Sequence, residues 1–432
     1  MPTLCYSRHE KMRAAALYLS SSVTARQDAS EALAAGHEVF VSGFELPGAH
    51  AVPEGWGAAV AAAVRRTKGE VLAVQAPPDA LDALTEPALR DEADVVVGQR
   101  VPPPLLERAA NQVAKLAVEA DVADPLCAAR AFRVAPLRDE PIQAQGDEAE
   151  AETLVKLAAQ RYRFRDALVR HGGKRSASNV AALTRTFVRY ATVQNDADNQ
   201  HEGYSTLAHL ESEAPNYNRW LAGTFRKWAG ARVLEIGAGI GTITAHLAPG
   251  RELVTALEVD PFYVRRLKNR FRGMPHVEPY QGDVAMADWE ALRARRFDTI
   301  VLSNVLEHIP DDAGAVRTFA KVLPEQGALI LFVPAIPALF GTLDEAVGHH
   351  RRYTPETLRA VMEQNGFEVE ELRWMNLIGI PAWALNGRVL RRRVLSPLQL
   401  KVYDRIAPTI ANLEAQVKVP VGLSLLAVGR RR

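Results

Sequence analysis

Along the second half of the chain, apolar runs of four to six residues alternate with stretches whose apolar positions recur at helical spacing. Runs at 232–236, 253–257, around Val277, 299–302 and 328–333 predict strands, and the stretches at 217–228, 242–247, 262–271 and 313–323 predict helices. Short apolar strands separated by helices signal a parallel sheet wrapped by helices, so this half is α/β. Two more strands are predicted at 367–374 and 422–429. The first half repeats the pattern less sharply, with strands at 38–41, 71–74 and 94–97 and helices at 56–65 and 105–118, a second α/β layer domain. Residues 1–35 read as helix-like. Between the halves, 194–203 is polar and lacks periodicity, which predicts a linker over 191–212 between domains at 1–190 and 213–432.

Length agrees with this division, because 432 residues exceed the roughly 250–300 at which a single core stops growing. A hydrophobic content of 48% with 24% charged residues excludes wholesale disorder. A formal net charge of +1 supplies no bulk attraction to nucleic acid or anionic membrane, so neither is expected as a partner. Two cysteines cannot build a disulfide framework, and they suit a reducing, cytoplasmic setting. Charges interrupt the apolar residues of 1–18, unlike a signal peptide, and no run reaches the length of a transmembrane segment.

The strongest local signal is Val233-Leu-Glu235-Ile-Gly237-Ala238-Gly239-Ile-Gly241, at a strand end and helix start. Glycines there permit a tight turn and let a ligand approach backbone N–H groups with no Cβ in the way. Dinucleotide folds also use glycine loops, but their spacing is G-x-G-x-x-G. Here it is G-x-G-x-G with Glu235 two residues ahead, followed by Glu258-Val259-Asp260, Gln281-Gly282-Asp283-Val284 and Ser303-Asn304-Val-Leu-Glu307-His308. The four elements in this order resemble class I S-adenosylmethionine-dependent methyltransferases. The resemblance implies a Rossmann-like seven-stranded sheet and S-adenosylmethionine as cofactor. It implies that Glu235, Gly237, Ala238, Gly239 and Gly241 form the loop at the methionine end. Glu258 and Val259 would then meet the ribose, Asp283 and Val284 the adenine, and Asn304 the sugar or sulfonium side. Tyr217 would close over the methionine carboxylate, with a place in the core as the alternative.

In an open parallel sheet, ligands bind outside the carboxyl ends of the strands. One loop at that face carries Glu307 and His308; another, of about nineteen residues, spans 334–352 and leads into Tyr353. His308 and His349 are candidate bases for removing an acceptor's hydroxyl proton, His308 first because a short loop fixes it better. His350, Arg351, Tyr353 and Trp383 are candidate acceptor contacts; Asp344-Glu345 and Arg351-Arg352 could equally tie their loop together by ion pairs. No metal is expected, because His349 and His350 are neighbours and not at ligand spacing on one face. An insert at 376–420, before the last strand, is a lid candidate whose Arg388, Arg391, Arg392 and Arg393 offer an anion-binding rim or a solvated helix face.

In the first half, Gly55-Trp-Gly57, Thr67-Lys-Gly69-Glu-Val-Leu-Ala-Val74, Ala93-Asp-Val-Val-Val-Gly98-Gln-Arg100, Ala128-Ala-Arg-Ala-Phe132-Arg133 and Glu150-Ala-Glu152 resemble, in order, a family 2, GT-A glycosyltransferase of the polyprenyl-phosphate mannose synthase type. Where that family carries a metal-binding D-x-D, this chain has Gln75-Ala76-Pro77. The departure implies a degenerate domain that docks, dimerises or holds an acceptor. The expectation is therefore a methyltransferase, acting by O-methylation on a small-molecule or glycan acceptor, with room for a homo-oligomer. Methylation of a lipid-linked sugar, N- or C-methylation in natural-product biosynthesis, and a non-catalytic cofactor-binding scaffold are the alternatives.

Overall fold

A computed structural model describes residues 14–19, 23–118, 120–140, 142–144, 146–170, 175–192, 204–391, 397–417 and 419–432. The chain divides into two compact units, Met1–Gln194 and Asn195–Arg432. The polar stretch 194–203 lies outside the described residues. The linker bounds of 191–212 do not hold at either end, because helices cover Ala177–Thr192 and Tyr204–Glu213. Apolar contact recruits the second of these: Leu207 and Ala208 pack against Ile240, Phe262 and Tyr263.

The first unit is built on strands β1 (Ala14–Tyr18), β2 (Glu38–Val41), β3 (His50–Ala51), β4 (Val71–Val74), β5 (Val95–Gln99), β6 (Arg130–Arg133) and β7 (Phe164–Leu168). Their order across the sheet is β3-β2-β1-β4-β6-β5-β7, parallel except for β6, which runs against both neighbours. The helix-like reading of residues 1–35 fails at β1. Three consecutive alanines favour a helix intrinsically, but all five β1 residues are buried between β2 and β4, and tertiary pairing decides.

The second unit carries β8 (Arg232–Ile236), β9 (Leu253–Glu258), β10 (Val277–Gln281), β11 (Thr299–Ser303), β12 (Ala328–Pro334), β13 (Phe367–Met375) and β14 (Ser424–Arg431). The order is β10-β9-β8-β11-β12-β14-β13, with β14 antiparallel to β12 and β13 and the other pairs parallel. Its strands are covered on both faces, so the sequence shows continuous apolar runs and not alternation. Leu234, Ile236, Ile300, Leu302, Leu329 and Leu331 fill one face, while Val233, Val254, Val301, Ile330 and Phe332 fill the other. Strand order reverses between β8 and β11, and that reversal opens a crevice at their carboxyl ends.

The 376–420 insert contains a short helix (Gly379–Ala384), a π-helical turn (Leu385–Val389) and a long helix (Pro397–Gln416). It packs down instead of standing free. Arg388 donates to the Phe340 carbonyl at 2.8 Å, and Thr342 Oγ1 donates to the Gly387 carbonyl at 3.0 Å. Arg388 therefore ties the insert to the loop after β12, whereas Arg391 is exposed and Arg392 and Arg393 lie outside the described residues.

Candidate functional site

Three glycines after β8 take left-handed conformations, with φ of +70° at Gly237, +53° at Gly239 and +81° at Gly241. At Gly237 the need is also steric, because an added Cβ would stand 2.4 Å from Val305 Cγ2 on the loop after β11. The loop's amides are not offered to a ligand as the sequence suggested. Gly237 and Ala238 donate to the Leu257 carbonyl at 2.9 and 3.1 Å, and Gly239 donates to Glu258 Oε2 at 2.8 Å. What the glycines supply is close approach; the polar recognition falls to side chains.

Glu258 ends β9 buried, and its Oε1 accepts from Val259 N at 2.8 Å. An ionised carboxylate has about four acceptor directions, so these bonds leave capacity for a hydroxyl. Burial raises its pKa above the ordinary carboxylate value even so. Glu235, two residues before Gly237, is buried beneath the loop and accepts from Thr244 Oγ1 at 2.6 Å, and burial pushes its carboxyl up to about 7. Val259 is exposed beside Glu258. Asp283 is exposed beyond β10 and accepts from Ala285 N at 2.8 Å, while the Val284 carbonyl accepts from Trp289 Nε1 at 3.1 Å. Gly282 N donates to the Glu258 carbonyl at 3.0 Å, which joins the ends of β9 and β10. Asn304 tops β11 in a left-handed conformation, exposed, with its N–H donated to Phe332 O. Tyr217 follows the core alternative: its ring packs edge-on against Trp220 and Tyr403, and burial pushes its phenol up to about 12.

Across the crevice, the turn Leu306–His308 meets the loop after β12. His308 and His349 stack edge to face with ring centroids 4.8 Å apart. His349 Nδ1 lies 2.8 Å from Asp344 Oδ1, and its Nε2 lies 3.6 Å from Glu307 Oε1. Burial, then the neighbouring His349, pushes the His308 imidazole down to about 4, which weakens it as a proton acceptor and undercuts its precedence over His349. Burial pushes the Glu307 carboxyl up to about 8. Asp344 goes the other way: despite burial, the His349 and Arg352 bonds hold its carboxyl below the ordinary value.

The candidate acceptor contacts divide. Arg351 donates to Asp312 Oδ2 and to the Pro310 carbonyl, at 2.8 and 2.7 Å. Tyr353 is 2% exposed and gives its hydroxyl to Asp312 at 2.8 Å, so it anchors the loop and cannot line an acceptor surface. Arg352 bonds Asp344 Oδ1 at 2.7 Å and stacks over Trp383 at 4.8 Å, and Trp383 Nε1 donates to Asp344 Oδ2 at 3.3 Å. The ion-pair alternative thus describes Arg351 and Arg352. His350 is exposed, with its N–H on the Glu307 carbonyl at 2.9 Å. Sequence reasoning gave no site role to Glu307 or to Leu207, whose Cδ1 would stand 3.1 Å from a Cβ at Gly239. The first was visible only as one letter in a strand-end loop, and the second lay within the supposed linker.

Residues 208–372 match the family model described as a methyltransferase domain. They form a class I S-adenosylmethionine-dependent methyltransferase domain. A ubiquinone biosynthesis O-methyltransferase of Xanthomonas euvesicatoria is 29% identical over 165 residues, covering 34% of this chain and 66% of the relative. Nodulation protein S of Sinorhizobium fredii is 29% identical over 143 residues, 32% of this chain and 61% of its own. The chain spans about two thirds or less of the length of these curated relatives. The solved structure of the N-methyltransferase NodS from Bradyrhizobium japonicum, in complex with S-adenosylhomocysteine, is 19% identical, covers 50% of this chain and 85% of its own, and superposes with a TM-score of 0.33.

The methyltransferase domain takes S-adenosylmethionine as its donor, and the crevice fits that group. Beside the glycine loop, at the end of β9, Glu258 presents a buried carboxylate suited to a ribose diol. When bound, the donor supplies an electrophilic methyl group on a sulfonium. Of the chain's own residues, Glu258 would hold the sugar, Glu235 and Thr244 bond each other beneath the loop, and Val305, ahead of the turn that carries Glu307 and His308, packs against Gly237.

Proposed function

We propose that the chain transfers a methyl group from S-adenosylmethionine to an oxygen of a small-molecule or glycan-type acceptor. The observation that carries this reading is the pairing, at adjacent strand ends, of the glycine crevice with the Glu307, His308 and His349 side chains. Methyl transfer from a sulfonium is an in-line displacement, so alignment alone serves an unprotonated amine. A hydroxyl acceptor must also be oriented and relieved of its proton, and three convergent polar side chains answer that need. Glu258, Glu235 and the glycine loop are assigned to the donor, with Val259, Asp283, Val284 and Asn304 on its rim. His308 and His349 are assigned to the acceptor hydroxyl, and His350 and Trp383 border it.

The first unit, in this reading, is a non-catalytic relative of GT-A glycosyltransferases used for docking or dimerisation. Gln75-Ala76-Pro77 directly follows β4, where the active relatives need carboxylates to hold a metal. The test of the whole reading is a mass-shift assay of the full chain with S-adenosylmethionine and a panel of hydroxylated and amine-bearing acceptors. Methyl groups recovered on oxygen are expected. Methylation confined to amines, or no conversion of the donor, overturns the reading.

A further inference from the structure

We propose that Glu307, His308 and His349 bind a divalent first-row transition cation, which holds and polarises the acceptor hydroxyl. This deepens the methyl-transfer reading and rests on it for the identity of the acceptor atom. The three side chains come from two loops, and one ligand atom from each lies within 4.8 Å of the others. Ligand atoms about 2.0–2.2 Å from a common ion stand up to about 4.3 Å apart, so small rotamer adjustments close the shell.

Glu307 is the independent observation. It is 0% exposed, and neither carboxylate oxygen has a hydrogen-bond partner among the described residues. His349 Nε2 stands 3.6 Å from its Oε1, beyond hydrogen-bond reach. A buried carboxylate left this way is costly, and a cation at the focus of the cluster satisfies it.

The surroundings prepare His349 as a ligand. Asp344 accepts from Nδ1, which leaves the Nε2 lone pair directed toward Glu307. Asp344 is in turn fixed by Arg352 Nε at 2.7 Å and by Gly341 N at 3.0 Å. One carboxylate with two imidazoles selects manganese, iron, cobalt or zinc over the oxygen-seeking magnesium and calcium. Three protein ligands leave coordination positions open, as a catalytic site requires. In the transfer step the C–S bond of the donor breaks as the new C–O bond forms. The sulfur keeps the electron pair and leaves as a neutral thioether, and the acceptor's proton passes to solvent.

The test uses the full chain, stripped with a chelator and titrated with Co2+ as a spectroscopic probe, with Zn2+ as competitor. One Co2+ per chain is expected, with visible ligand-field absorption that Zn2+ abolishes. Glu307→Gln and His349→Ala should weaken binding by at least about tenfold, and so should Asp344→Asn, a positioning residue. S-adenosylhomocysteine affinity should stay unchanged in all three. If those variants fail to fold, Mn2+ bound to the wild-type chain must still show hyperfine coupling to two imidazole nitrogens in pulsed EPR. No binding of Co2+, Mn2+ or Zn2+, or binding indifferent to both ligand substitutions, overturns the proposal. In that case intact S-adenosylhomocysteine binding leaves the methyl-transfer reading standing, whereas its loss in the wild type removes that reading instead.

Discussion

The Glu258 carboxylate holds the Gly239 and Val259 amides, and in the proposed reading it also meets the donor. Glu258→Ala should therefore weaken S-adenosylhomocysteine binding by about 1.5–3 kcal/mol, read by calorimetry, and unchanged affinity removes Glu258 from the site. Glu235 gives a prediction in pH. Its folded carboxyl titrates at about 7, above the ordinary value near 4.5, because burial disfavours the charge more than Thr244 and Arg270 favour it. The stability it contributes is complete below the unfolded value and is lost as pH rises through 7. Glu235→Gln has no such proton to lose. Relative to wild type it should gain about 1–3 kcal/mol between pH 4.5 and pH 8, and denaturant unfolding at both values checks this. At this scale, the residues proposed for the donor could be picked out in the sequence because glycine and acid spacings are local. The Glu307–His349 contact was not, since it joins two loops that only the fold brings together.

The long helix Pro397–Gln416 is held by polar contacts that its exposed apolar residues would not suggest. Asp404 accepts from Asn216 Nδ2 and from Tyr217 N, each at 2.9 Å, and Glu414 accepts from the amides of Asn376 and Leu377, each at 3.0 Å. Asp404→Ala leaves the Tyr217 amide without this partner and should cost about 1–3 kcal/mol. Hydrogen exchange across 397–416 should accelerate while exchange in β8 and β11 stays slow; an unaltered helix refutes the tie. The second sheet could be read from its apolar runs because its strands are buried on both faces, and the bounds of β8 follow them residue for residue. β1 escaped because alanine carries a helical preference that only its two neighbouring strands override.

At the scale of the whole molecule, the first unit has its own hydrophobic cluster, from Ala14 to Phe187, and the second unit has separate clusters of its own. Calorimetry should resolve two unfolding transitions. S-adenosylhomocysteine at a hundredfold excess over its Kd should raise one by about 2.7 kcal/mol, roughly 5–10 °C for a unit of this size, and leave the other in place. A nucleotide sugar with Mn2+ should move neither, and a metal-dependent rise in the untouched transition refutes the non-catalytic reading of the first unit. The antiparallel strand β14 has a further consequence, for biosynthesis. Among the described residues it is the one strand paired with β13 and one of the two paired with β12, yet about ninety residues separate its start from the end of β12. At about 5–20 residues per second, the ribosome leaves an edge of β12 open on the nascent chain for roughly 5–20 s. The first unit can complete its sheet while still tethered, but the second must wait. Ribosome-associated chaperones are expected to engage the β12 edge during that interval and to release it as β14 emerges.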